Sequence, residues 1–153
     1  MTPAITNLRA RLSACRGVLV DSNILIDVAT NNPVWGRWSV DILAEIEECS
    51  ILIINPIIYA EVSSGYATIE ELDAAFPASL YQREQLPWEA GFLAGKCFLK
   101  YRRRGGVKTS PLPDFYIGAH AAVGGLALLT LDAARYRSYF PAVEILAPAP
   151  RGA

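Results

Sequence analysis

The tightest constraint on this chain is a pair of short apolar runs that each stop at an acid: Val18-Leu19-Val20 before Asp21, and Leu128-Leu129-Thr130-Leu131 before Asp132. Nearly continuous apolar runs of this length suit strands covered on both faces, as in parallel sheets. Runs at 51–54 and 143–146 have the same character, and helical spacing fills the segments between them. Strands at 17–20, 51–54, 127–130 and 143–146, alternating with helices, predict an α/β domain with a central, mostly parallel sheet of four to five strands and helices on both faces. In such a sheet ligands bind beyond the carboxyl ends of the strands, where Asp21 and Asp132 fall.

The helical segments place two more acids. Pro56 suits the first turn of a helix in which Ile57, Ile58, Ala60 and Val62 are apolar and Glu61 is the one charge. Asp114 follows Pro113 at the start of a helix that runs to Gly124-Gly125. If folding gathers Asp21, Glu61, Asp114 and Asp132 into one cleft, their repulsion at low dielectric is severe, and a divalent cation relieves it. Each also has a plainer use: Asp21, Asp114 and Asp132 suit helix N-caps, and Glu61 suits an exposed helix face. At Asp114 the two roles are compatible. Other helices are expected over 35–49, from the capping box Thr68-x-x-Glu71, over 88–104 with Trp88, Phe92, Gly95 and Leu99 on one stripe, and over 133–139. Residues 1–16 read as an N-terminal extension, either an extra helix or a frayed tail, 17–147 as the domain, and 148–153 as a tail.

A length of 153 residues supports one self-sufficient core. With 52% hydrophobic and 19% charged residues the chain is not disordered, and no apolar stretch approaches a membrane span, so a soluble cytoplasmic protein is expected. Cys15, Cys49 and Cys97 fit no zinc spacing with the single His120 and read as free thiols in a reducing cytosol. A formal net charge of −1 conceals an asymmetry: 38–82 holds no Lys or Arg, whereas 90–113 holds Lys96, Lys100, Arg102, Arg103, Arg104 and Lys108 and no acid. The second window predicts a basic face able to meet a polyanion.

Taken in order, four strings carry a resemblance: Val18-Leu19-Val20-Asp21-Ser22-Asn23-Ile24-Leu25-Ile26-Asp27, Pro56-Ile57-Ile58-Tyr59-Ala60-Glu61-Val62, Pro113-Asp114-Phe115-Tyr116-Ile117-Gly118-Ala119-His120-Ala121, and Leu128-Leu129-Thr130-Leu131-Asp132. Their order and spacing resemble the PIN-domain ribonucleases over 17–146, and the single-domain size and the Ala-His-Ala ending resemble the VapC-type toxins of bacterial toxin–antitoxin pairs. The resemblance implies a PIN-like three-layer α/β/α fold and a Mg2+- or Mn2+-dependent endoribonuclease. Asp21, Glu61, Asp114 and Asp132 match its catalytic metal ligands, with Ser22, Asn23 and Thr130 orienting ligands or metal waters. It also implies an RNA substrate, a cognate antitoxin and a homodimer; Arg102, Arg103, Arg104 and Lys108 then become the RNA-guiding surface. Trp35, Trp38 and Tyr66 are expected near the surface as partner contacts. Leu131 departs from the toxin pattern, where a polar or basic residue is frequent, and this bears on substrate preference.

Hydrolysing a phosphodiester requires an activated water and a stabilised leaving oxygen, and hard cations on carboxylates supply both. With one histidine in the chain, a histidine-pair mechanism is not available. An aspartate-nucleophile phosphatase on a similar sheet needs a second Asp two residues after the first, and Asn23 stands there. A catalytically silent PIN-like module that binds RNA or protein is the other reading; four intact acids argue against it, because a binder gains nothing from negative charge beside a phosphate backbone. Asp27 reads as solvated or as a minor supporting group, and His120 as a packed or hydrogen-bonded helix residue.

Overall fold

The computed structural model describes residues 3–109 and 112–149. Five short strands, β1 (Val18–Val20), β2 (Leu52–Ile54), β3 (Tyr81–Arg83), β4 (Ala127–Leu129) and β5 (Ile145–Leu146), form one all-parallel sheet in the order β3-β2-β1-β4-β5. Eight helices are described: α1 (Leu8–Leu12), α2 (Ser22–Ala29), α3 (Gly36–Glu47), α4 (Pro56–Ser63), α5 (Ile69–Ala75), α6 (Trp88–Arg103), α7 (Pro113–Gly124) and α8 (Ala133–Tyr139). They complete the three-layer α/β/α architecture expected from the sequence.

Central β1 carries the register, with Val18 opposite both Leu52 and Ala127. Every residue of β1, β2 and β4 is buried, which is why these strands read as unbroken apolar runs. From β1 the chain winds outward to β2 and β3, then returns through α6 and α7 to β4 on the other side of β1. The order therefore reverses between β1 and β4. The loops leaving those two strands diverge there and leave a crevice whose rims begin at Asp21 and Asp132.

The fifth strand, β3, has no apolar run to announce it. It lies at the sheet edge, where only Tyr81 is buried while Gln82 and Arg83 face solvent, so polar residues are tolerated. The N-terminal segment is a helix docked on the core: Ile5, Leu8 and Leu12 are buried, and Arg11 pairs with Glu144 and donates to the Ile145 carbonyl at 2.8 Å. Of the tail at 148–153, residues 150–153 lie outside the described residues, as do 110–111 of the loop before α7.

Helix α6 inverts its own hydrophobic pattern. Ala90, Ala94 and Cys97 are its buried face, whereas Trp88, Phe92 and Leu99 of the apolar stripe are exposed. Small residues on the inner face let α6 lie close against α7. Gly118 of α7 is similarly obligatory, since a Cβ there would meet the Phe140 ring at 2.2 Å. Trp38 and Tyr66 do not form an open patch: Trp38 donates through Nε1 to the Ala4 carbonyl at 3.3 Å, and Tyr66 stands edge-on to Phe76. Both are half-buried, as is Trp35. The cysteines are free, with Cys97 buried. Among the described residues no helix is long and apolar enough to cross a membrane.

Candidate active site

Asp21 closes β1 with extended backbone and caps α2, its Oδ1 accepting the Ser22 N–H at 2.8 Å. Capping occupies one oxygen only. Oδ2 turns into the crevice, where the Thr130 hydroxyl donates at 2.8 Å and the Tyr136 hydroxyl lies at 3.0 Å. The cap role and the cleft role therefore coexist in one side chain that is 4% exposed.

Glu61 arrives on α4. Asn55, at the end of β2, accepts the Ile58 N–H at 2.9 Å through Oδ1, and Pro56 fills the first helical position; together they fix where α4 begins. Glu61 then lies five residues in, half-buried, with its Oε1 accepting from the Ser22 hydroxyl at 3.0 Å. Asp114, in the first turn of α7, meets the Tyr136 hydroxyl at 3.1 Å through Oδ1 and the Arg135 guanidinium through Oδ2. Asp132 stands at the α8 N-cap position without a side-chain cap bond; its Oδ2 pairs with Arg135 Nη2 at 2.9 Å.

Ser22, Asn23 and Thr130 tie these acids together. Ser22 bridges toward Glu61 and Asp21; Asn23 donates to Thr130 Oγ1 and accepts the Leu131 N–H, both at 3.3 Å; and Thr130 Oγ1 accepts the Asp132 N–H at 3.1 Å. The end of β4 is thus stitched to the start of α2 across the crevice. All four predicted acids line one connected network.

Burial raises the Asp21 carboxyl above its usual pKa, against the hydrogen bonds from Thr130 and Tyr136, and nearby Asp114 adds to the rise. Burial raises Glu61 likewise, with Asp21 and Asp114 contributing. Tyr136 is raised by burial and by both aspartates, so its phenol stays protonated. Asp27, read as solvated or as a minor supporting group, is not solvated: it is 9% exposed, its Oδ2 has no hydrogen-bond partner, and burial raises its pKa.

Whether such a group of acids suits a metal turns on donor chemistry and on spacing. The donors fit: four carboxylates with the Ser22 and Thr130 hydroxyls are the hard oxygens that Mg2+ and Mn2+ prefer. The spacing is open, since no three His, Cys, Asp or Glu side chains among the described residues converge on one point. Tyr136 stands between Asp21 and Asp114, and Arg135 between Asp114 and Asp132.

Neither Arg135 nor Tyr136 was singled out in the sequence, although the offset of three from Asp132 to Arg135 within a helix start was a usable signal. A cavity of about 560 Å3 opens at the acids, lined by Glu61, Asp114, Arg135 and Tyr136 together with Tyr101, Phe115, Tyr139 and Phe140. The basic residues divide. Arg102 donates to the Gly106 and Lys108 carbonyls at 3.3 and 3.0 Å and closes the loop after α6. Arg104 lies 5.0 Å from the centre of the Tyr139 ring and donates to Ser138 Oγ at 3.2 Å, so it packs on a residue that lines the cavity without lining it itself. Arg103 and the Lys108 side chain are exposed and apart from the acids.

A second polar cluster lies behind α4. Asn55 spends Oδ1 on its cap, so its Nδ2 donates to His120 Nδ1 at 3.0 Å, and the histidine proton sits on Nε2, 3.4 Å from Glu84. Glu84 is held by Arg16 at 2.6 and 2.9 Å. His120 is fully buried, as a packed and hydrogen-bonded helix residue should be.

The PIN-domain profile matches residues 18–140, from the first strand to the Phe140 that packs on Gly118. No curated protein matches the chain in sequence. Among solved structures it resembles VapBC2 from Rickettsia felis bound to a DNA fragment from its promoter, at 15% identity and a TM-score of 0.66, over 86% of this chain and 98% of that one. VapBC-1 from nontypeable Haemophilus influenzae aligns at 19% identity and 0.64, over 85% and 96%. A toxin–antitoxin complex from Klebsiella pneumoniae aligns at 21% and 0.60, over 87% and 98%. These likenesses are of fold, and the match in sequence carries the family: the chain belongs to the PIN-domain proteins.

Proposed function

We propose that the protein is a divalent-metal-dependent endoribonuclease of the VapC type, the toxin of a toxin–antitoxin pair. The observation that carries this reading is that Asp21, Glu61, Asp114 and Asp132 are linked through Ser22, Tyr136 and Arg135 into one hydrogen-bonded network at the switch point of the sheet. A Mg2+ or Mn2+ ion held by these carboxylates would supply a Lewis acid for the attacking water and the leaving oxygen. The chain's own contribution is positional. Ser22 and Thr130 aim Glu61 and Asp21, Asn23 fixes Thr130, and Tyr136 excludes solvent from the floor. The cavity with Tyr101, Tyr139 and Arg135, and with Arg104 packed on Tyr139, offers an RNA strand aromatic faces and positive charge beside the acids.

Two features support partners. The cleft already accommodates a guanidinium, that of Arg135, which favours an antitoxin segment that presents an arginine there. Exposed Trp88, Phe92 and Leu99 on α6 support self-association into a homodimer. A cytoplasmic site of action follows from the same reading.

The decisive assay offers purified protein a mixed RNA pool with Mn2+, with Mg2+ and with chelator. Cleavage only with metal is the expected result. Binding of RNA without cleavage under any metal would favour the silent PIN-like module, and release of phosphate from monoesters instead would favour a phosphatase.

A further inference from the structure

Arg135 is out of place in a site meant for a cation. Its guanidinium takes Oδ2 of Asp114 and Oδ2 of Asp132, two of the four carboxylates, from its seat on α8. An ion ligated by those acids competes with the guanidinium for their negative charge and for the oxygens it occupies. One guanidinium also falls short of the need: four carboxylates face a single positive charge, and the one Tyr136 proton is shared between Asp21 at 3.0 Å and Asp114 at 3.1 Å. The Arg135 side chain is 57% exposed against 20% for Asp114, so it has room to swing outward. Released, it would still border the cavity that Glu61, Tyr101 and Tyr139 share. A planar guanidinium at that wall matches the two free oxygens of a phosphodiester.

We propose that Arg135 is the resident cation of the cleft, that it yields Asp114 and Asp132 to the divalent metal, and that it then turns to the phosphate of the bound strand. The inference rests on the nuclease reading above. It accounts for an acidic network whose members meet at side chains and not at one common point: Arg135 bridges Asp114 and Asp132 until the stronger cation replaces the weaker. The alternative is a staple, in which the Asp132–Arg135 pair merely steadies the start of α8.

The test titrates Mn2+ alone into the wild type, Arg135→Gln and Arg137→Gln by calorimetry, with thermal melts and single-turnover RNA cleavage on the same preparations. Arg137 is exposed on the same helix and serves as the control. Arg135→Gln is expected to bind Mn2+ about fivefold more tightly, the scale of one exposed ion pair removed from competition. Its metal-free melting temperature should fall and its metal-induced rise should grow, while cleavage drops about a hundredfold for want of a charge at the phosphate. Arg137→Gln should match the wild type in metal affinity. Unchanged or weaker Mn2+ binding in Arg135→Gln would overturn the resident-cation role and leave the staple. Tighter binding with undiminished cleavage would overturn the phosphate role. A wild type that neither binds Mn2+ nor cuts RNA removes the nuclease reading and this proposal with it, whereas the first two outcomes, in a wild type that does both, remove the proposal alone.

Discussion

Two polar clusters of this fold treat their carboxylates in opposite ways. Around Asn55, His120, Glu84 and Arg16 each strong donor faces an acceptor, and the Arg16 guanidinium holds the Glu84 carboxyl below its usual pKa. Around Asp21, Glu61, Asp114 and Asp132 the acids outnumber the cations, and burial holds Asp21 and Glu61 above their usual values. The first cluster is satisfied as it stands; the second is short of positive charge. Satisfied networks stiffen a fold, and a buried deficit is retained where a ligand makes it good. The two are mechanically joined, because Asn55 caps the helix that carries Glu61.

The sharpest way to break this contrast is Asp21→Asn. Removing one charge from the deficient cluster is expected to abolish cleavage by more than about a hundredfold, beyond the range for partners of metal ligands. The same variant should melt at the wild-type temperature or above it, since the amide relieves repulsion with Asp114. Paired melts and RNA assays check both halves. An active, metal-dependent Asp21→Asn enzyme would remove Asp21 from the site, and one that melts well below the wild type would remove the charge-relief argument.

His120→Ala should behave in the reverse sense. It leaves a cavity in a fully buried place and strips the Asn55 amide of its acceptor, at a cost of about 2 kcal/mol. Cleavage should survive in part, limited by how far α4 and Glu61 shift. Denaturant melts set against turnover at a temperature where both proteins are folded separate the two effects.

How much of this was legible in the sequence follows the same division. Asp21 and Asp132 were visible because burial on both faces forces strands into apolar runs that the first acid ends, and Glu61 stood out as the one charge in an apolar helix. Strand β3 was not visible, since an edge strand needs only one buried residue in three. Trp88, Phe92 and Leu99 signalled a helix, but periodicity cannot say which face of it is covered; the small residues Ala90 and Ala94 were the better guide, because close packing on α7 needs little volume. Spacing alone left Asp27 either solvated or a minor supporting group, and it could not exclude the first, because burial of a polar group depends on the packing of α2 against α3. The Arg16–Glu84–His120–Asn55 cluster joins residues from four distant segments, and no local pattern announces it.

Acid titration sharpens the comparison further, because the clusters carry opposite signs. Burial lowers the His120 pKa, so its contribution is complete above about pH 6.5 and is lost as the unfolded chain takes up a proton that the fold refuses. Glu84, also lowered, loses its contribution as pH falls from its unfolded value, about 4.3, through its folded one. Asp21 and Glu61 are raised; their contribution is complete below their unfolded values and is lost as pH rises through their folded ones. Metal-free protein should therefore soften first near pH 6, and His120→Ala should lack that first step. In Asp21→Asn the first step should persist.

The smallest effect lies in the basic segment, where the two clusters give way to surface. Arg102 is engaged with the Gly106 and Lys108 carbonyls, whereas Arg104 lies on Tyr139, which forms part of the cavity wall, and Arg103 is exposed. If single-stranded RNA passes from the acids along that wall, Arg104 meets its phosphates and Arg102 acts only through the loop. Replacing Arg104 by Ala should weaken RNA binding at low salt and flatten the log–log salt dependence by about 0.7, one phosphate contact on a single strand. Arg102→Ala should leave that slope as it is, while the loop after α6 loses the two carbonyl contacts that close it. Binding measured over a salt series with Asp21→Asn as the common background keeps the RNA intact. Equal slopes for both variants and their parent would place the strand elsewhere, and leave Arg104 as a cover for Tyr139.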